Sequence, residues 1–143
     1  MVDEQEGNRM ELKEQVISVA NAKRLKELGV KQDSLFYWVI SLTTNYHISY
    51  TEGDKSLLPQ DRNDFYAAFT VAELGELLPL CYMSWATPQT GKMKWWCHRM
   101  ETHAVTHEVT EICTALTEAD VRAAMLIYLL EQKLEGKHDP YPH

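Results

Sequence analysis

The sequence predicts an α+β protein: a small, mostly antiparallel sheet with an N-terminal helix, a short middle helix and a long C-terminal helix packed on it. Three observations point there. Apolar residues recur at helical spacing behind capping residues in three segments. Two runs, "SLFYWVISL" (34–42) and "GKMKWWCHR" (91–99), are rich in aromatic and β-branched residues and too short for typical helices. The order of elements also keeps strands and helices apart, unlike the regular alternation of a doubly wound protein.

The first helix is read from "ISVANAKRLKELG". Ser18 stands as N-cap, Val19, Ala22, Leu25 and Leu28 form the apolar stripe, and Gly29 is the stop. Leu12 and Val16 continue the period backwards, which allows extension to Met10. Run 34–42 follows, with Phe36 and Trp38 on one face and Leu35, Tyr37 and Val39 on the other. Apolar residues on both faces predict a central strand covered on both sides. "NYHISYT" then alternates Tyr46, Ile48 and Tyr50 with polar residues and pairs with it as a hairpin. "EGDKSLLPQDRND" reads as a surface loop.

In "TVAELGELLP", Thr70 and Glu73 match a capping box, Val71, Leu74, Leu77 and Leu78 supply the stripe, and Pro79 limits the helix. Glu73 and Glu76 are read as capping and solvated groups, as are Glu101 and Glu108. "LCYMSW" (80–85) and 91–99 are strands separated by a turn-like "ATPQT" and are expected to pair. "THAVTHEVTEICT" is ambiguous, because Val105, Val109, Ile112 and Leu116 also fit a helical period. Seven of its thirteen residues are β-branched, and that favours a strand. Thr117 and Asp120 resemble a capping box before "VRAAMLIYLLEQKL", a helix ending at Gly136 whose wide apolar face should lie on the sheet.

With 143 residues the chain fits one domain, 1–143, able to bury roughly two thirds of its unfolded surface. The expected ordered core runs from about residue 10 to 136, with loose ends at 1–9 and 137–143. The chain has no apolar run long enough for a bilayer and no secretory signal pattern, so no membrane association is expected. Three cysteines, Cys81, Cys97 and Cys113, fit reduced thiols in a cytoplasmic setting. A net charge of -7 opposes non-specific nucleic acid binding.

The chemistry-bearing candidates cluster in "GKMKWWCHRM". On a strand, Lys92, Lys94, Trp96, His98 and Met100 share one face, while Met93, Trp95, Cys97 and Arg99 share the other. Trp95 is assigned to the core and Trp96 to the polar face. An indole between cations at i-2 and i+2 can stack a flat ring while the charges hold an anion, as nucleotide recognition requires. Structural packing of Trp96 under the lysine stems is the competing reading. The candidate ligand-binding set is Tyr37, Lys92, Lys94, Trp96, His98 and Arg99. Tyr37 enters because its hydroxyl needs a partner if buried.

Cys97, His98, His103, His107 and Cys113 fall within seventeen residues, but on a strand His103 and His107 lie about 13 Å apart. One zinc ion cannot bridge that distance, and no CxxC or HExxH motif accompanies the histidines. No cofactor is expected. Cys97 and His98 point to opposite strand faces and form no dyad, and P-loop, dinucleotide and GxSxG patterns are absent. The sequence therefore predicts a protein without enzymatic activity.

The stretches "AKRLKELGVKQDSLFYWV", "TVAELGELLP" and "TEADVRAAMLIYLLEQKL" resemble a group of small uncharacterised proteins encoded by bacteriophages and prophages, over roughly residues 15–135. The resemblance carries no site residues. It implies a phage accessory protein in bacterial host cytoplasm, a class that often disables host defence proteins or their nucleotide messengers. Two kinds of partner follow as expectations. One is a small anionic nucleotide-like ligand; the other is a host or phage protein contacted through Tyr46, Tyr50 and Trp85. Homo-oligomerisation is compatible with both.

Overall fold

A computed structural model describes residues 11–40, 45–51, 65–79, 82–99 and 112–134. Among these residues, four helices and six strands form an α+β fold, as the order of elements predicts. The strands make two antiparallel three-stranded sheets.

The N-terminal segment departs from a single extended helix. A one-turn helix α1 (Leu12–Gln15) ends at Val16, whose backbone is extended, before α2 (Val19–Glu27) begins. Val16 bridges Thr70, and the Ile17 amide donates to the Phe69 carbonyl at 3.0 Å. Both side chains are buried. The two β-branched residues thus gain backbone partners and burial that a continuous helix would forfeit. Met10 lies outside the described residues. Ser18 caps α2 as expected, accepting the Asn21 amide at 3.4 Å. At the far end the Leu28 and Gly29 amides reach the Arg24 and Lys26 carbonyls, and Gly29 takes φ 87°. That left-handed value suits glycine and ends the helix.

The first sheet has the order β2-β1-β3, with β1 (Phe36–Ile40) between β2 (Tyr46–Tyr50) and β3 (Phe65–Ala67). The central position predicted for β1 and its hairpin with β2 are both present. Strand β3 had no counterpart in the sequence reading; the expected loop 52–64 before it lies outside the described residues. Helix α3 (Val71–Leu77) carries the predicted capping box. The Glu73 amide donates to Thr70 Oγ1 at 3.2 Å and the Thr70 amide to Glu73 Oε1 at 3.0 Å. Glu73 does more than cap, because it also accepts from Ser34 Oγ at 2.8 Å and ties α3 to the entry of β1.

The second sheet has the order β4-β5-β6, built from β4 (Tyr82–Gln89), β5 (Lys92–Arg99) and β6 (Ile112–Ala115). The β4/β5 pairing is as expected, but the turn is shorter. Residues 86–89 continue the strand, and only Thr90 and Gly91 connect Gln89 to Lys92, with Gly91 at φ 71°. Residues 112–115 adopt the strand expected there, while 102–111 lie outside the described residues.

Helix α4 (Glu118–Leu134) lies on the second sheet and against α2 and α3. Ala119, Val121, Ala123, Met125, Leu126 and Leu129 are its buried stripe. Thr117 caps it by accepting the Asp120 amide at 3.1 Å. Asp120 Oδ1 accepts from the Ser18 amide and Asn21 Nδ2, both at 2.8 Å, joining the starts of α2 and α4. At Gly75 a β-carbon would stand 2.9 Å from Arg122 Nη1, so α3 and α4 approach closely there. One core runs between these elements from Ile17 and Leu25 to Leu126 and Leu129. Among the described residues, no helix is long and apolar enough to cross a membrane.

Candidate functional site

Alternation along β5 separates Trp95 and Cys97 from Trp96 and His98 as predicted, but Met93, expected on the core side, lies beyond the end of the core and is exposed. Cys97 is buried and Trp95 packs on the core, while Lys94, Trp96 and His98 belong to the face turned away from it. The register brings further side chains to that outer face. Trp85 sits opposite Trp96, Met83 opposite His98 and Thr87 opposite Lys94, with Thr114 and Ile112 contributed by β6. Residues directly opposite share a face, so this surface spans three strands.

Its centre is an aromatic pair. The Trp85 and Trp96 rings stack with centroids 5.3 Å apart and planes inclined by 10°. Trp96 Nε1 donates to Thr87 Oγ1 at 3.1 Å, and His98 meets Trp85 edge-on at 6.2 Å. The Lys94 ammonium lies 4.6 Å from the Trp96 ring centroid. Sequence spacing thus put a cation beside an indole correctly, but the indole already has two partners within the chain. Trp96 is half-buried, whereas Trp85 is 39% exposed, Met83 37% and Ile112 50%. Trp85 is therefore the more accessible of the two rings.

Lys92 and Lys94 border a cavity of about 390 Å³ that also involves Gln89, Thr90 and Thr114. Strand lengths create it. Among the described residues the β5/β6 ladder covers Trp95 to His98, while the β4/β5 hairpin runs on to Gln89 and Lys92. A notch is left at the end of the sheet, where Met93, Ala115 and Leu116 line it together with the lysines, Gln89 and the two threonines. Trp96 and His98 do not line it.

Tyr37 does not belong to this site. It is on β1 in the other sheet and 0% exposed, with its hydroxyl donating to the Gln32 carbonyl at 2.8 Å and accepting the Ser34 amide at 3.1 Å. The hydroxyl that suggested a ligand contact closes a local backbone loop instead. Arg99 ends β5 opposite Tyr82, with parity opposite to Trp96 and His98; its side chain is not described. The expected set thus divides into Lys92 and Lys94 at the notch, Trp96 and His98 on the adjoining aromatic face, Arg99 at the end of β5 with the opposite parity, and Tyr37 in the core.

Trp85 as the partner of Trp96 was missed, although a signal existed. A two-residue Thr90-Gly91 connection makes paired positions sum to 181, which sets 85 against 96. The longer turn assumed from "ATPQT" hid that register.

On the core side, Cys97 faces Cys113 across the ladder. Burial pushes the Cys97 thiol up to about 12 from 9.0, with nearby Arg122 opposing the shift. Arg122 Nε donates to Ser84 Oγ at 3.0 Å, and that hydroxyl donates to Glu118. His103 and His107 lie outside the described residues; among the described ones, no group of three His, Cys, Asp or Glu is arranged to hold a metal ion.

No protein-family model matches the chain, and neither curated proteins nor solved structures include a significant match.

Proposed function

We propose that this is a non-enzymatic binding protein that takes a small anionic, nucleotide-like ligand at the end of the second sheet. The observation that carries the reading is the notch of about 390 Å³, which sets Lys92 and Lys94 beside Thr90, Thr114 and Gln89. That volume lies within the range of small-molecule sites. Two ammonium groups supply charge for a phosphate, and the neighbouring hydroxyls and amide supply directional hydrogen bonds. In a chain of net charge -7, a local pair of cations selects for an anion and disfavours long nucleic acid. Following the resemblance to phage proteins, we place this activity in bacterial host cytoplasm, as sequestration of a nucleotide signal.

A thermal-shift series with cyclic and linear nucleotides and with inorganic phosphate tests the reading. A ligand at a hundred times its Kd should stabilise the fold by about 2.7 kcal/mol, and Lys92→Ala with Lys94→Ala should abolish the shift. No shift with any member of the series at millimolar concentration would refute it.

The exposed Met83, Trp85 and Ile112 support a second reading, in which the aromatic face meets a host or phage protein. Of the other expected anchors, Tyr50 is exposed and Tyr46 is covered by Lys23, 5.0 Å from its ring. Both belong to the first sheet, so they add no area to the Trp85 face. Capture of one bacterial protein by the wild type but not by Trp85→Ala would favour this reading over the ligand.

A further inference from the structure

We propose that Cys97 and Cys113 form a reversible cross-strand disulfide, a modification site independent of the ligand reading. The two residues are direct partners in the β5/β6 ladder, and both project to the core side. Direct partners in an antiparallel ladder have Cα atoms about 4.5–5.5 Å apart, within the 4.4–6.8 Å that disulfides span. Neither is in a disulfide in the structure, and their register places the pair for a bridge without moving a strand. Their exposure differs in a useful way. Cys113 is half-buried and able to meet a small oxidant, whereas Cys97 is 1% exposed and able to meet little but Cys113.

The chemistry is a two-electron exchange with a low-molecular-weight disulfide such as oxidised glutathione. The Cys113 thiol gives its proton to solvent, and its sulfur attacks one sulfur of the oxidant. A mixed disulfide forms and one small thiolate leaves. Cys97 then loses its proton and attacks Cys113 Sγ, expelling the second small thiolate. Both leaving groups take up protons, so two protein thiols are oxidised and one small disulfide is reduced to two thiols. Cys97 keeps its proton strongly, which slows the second step, but the fixed proximity of the partners compensates with a high effective concentration. Because Thr114 follows Cys113 and borders the notch, the bridge would sit one residue from the cavity wall.

The test uses the folded wild-type chain, incubated with oxidised glutathione, alkylated, digested with trypsin and mapped by mass spectrometry. Cleavage after Lys94, Arg99 and Arg122 releases the two cysteines on separate peptides, 95–99 and 100–122. The expected product is these peptides joined, two mass units lighter than their sum, and separated again by reductant. A Cys81→Ser variant should give the same product. Alkyl label on both Cys97 and Cys113 after oxidation, glutathione retained on Cys113, or a bridge to Cys81 or to a second chain would each overturn the proposal.

Discussion

The two sheets use aromatic residues in opposite ways. In the first, Tyr37 and Val39 bury one face of central strand β1, Phe36, Trp38 and Ile40 are half-buried on the other, and the polar aromatic atoms of Tyr37 and Trp38 are closed by backbone. Trp38 Nε1 donates to the Ile17 carbonyl at 2.7 Å, and the Tyr37 hydroxyl bridges Gln32 and Ser34. In the second, α4 covers one face, and the Trp85–Trp96 pair stands on the other, with the Trp96 indole N–H closed by the Thr87 side chain. Aromatic content alone thus says little about function; what separates the sheets is whether a second layer covers the ring.

Substitutions at matched positions can break or sharpen this contrast. Tyr37→Ala removes a ring from the core and should cost about 3–5 kcal/mol of stability in urea denaturation. A cost comparable to that of Trp85→Ala would erase the proposed difference between the sheets.

The core side of the second sheet should next reveal itself through pH. The folded state keeps the Cys97 thiol protonated to about 12, whereas the unfolded chain ionises near 9.0. Above pH 9 the unfolded chain therefore binds fewer protons, and stability falls as pH rises toward 12, by at most about 1.4 kcal/mol per unit. Cys97→Ala should flatten that decline in denaturation curves at pH 8.5 and 10. An unchanged slope would mean that the thiol is not sealed under α4.

Smaller effects belong to the outer face. Trp85→Ala should cost only about 1 kcal/mol, most of it from the ring stack. Lys94→Ala should change stability by less than about 0.5 kcal/mol, its ammonium being replaced by water over the Trp96 ring. A larger loss at Lys94 would show that the cation is a structural lid on the indole.

Much of this architecture was legible residue by residue. Ser18, Thr70 and Glu73 announced their helices because capping is a local hydrogen-bonding requirement. Parity along Lys92–Arg99 correctly parted Trp95 from Trp96, since side-chain direction follows from strand pleating. The break at Val16 was not legible, because it depends on a partner at Thr70, far along the chain. Nor was the burial of Tyr37. Its hydroxyl demanded a partner, but only the loop from Gln32 to Ser34 determined that the partner was backbone.

By itself the sequence determined the α+β class, the helix starts, the central position of β1 and the two faces of β5. These follow from short-range sterics, capping and periodicity, which act within a few residues. Tertiary structure decided that the six strands among the described residues divide into two sheets, that α4 covers the Cys97 face, and that the lysines at 92 and 94 meet a notch while Trp96 stacks on Trp85. Periodicity gives each side chain a direction, but which direction leads to solvent depends on the layer that packs there.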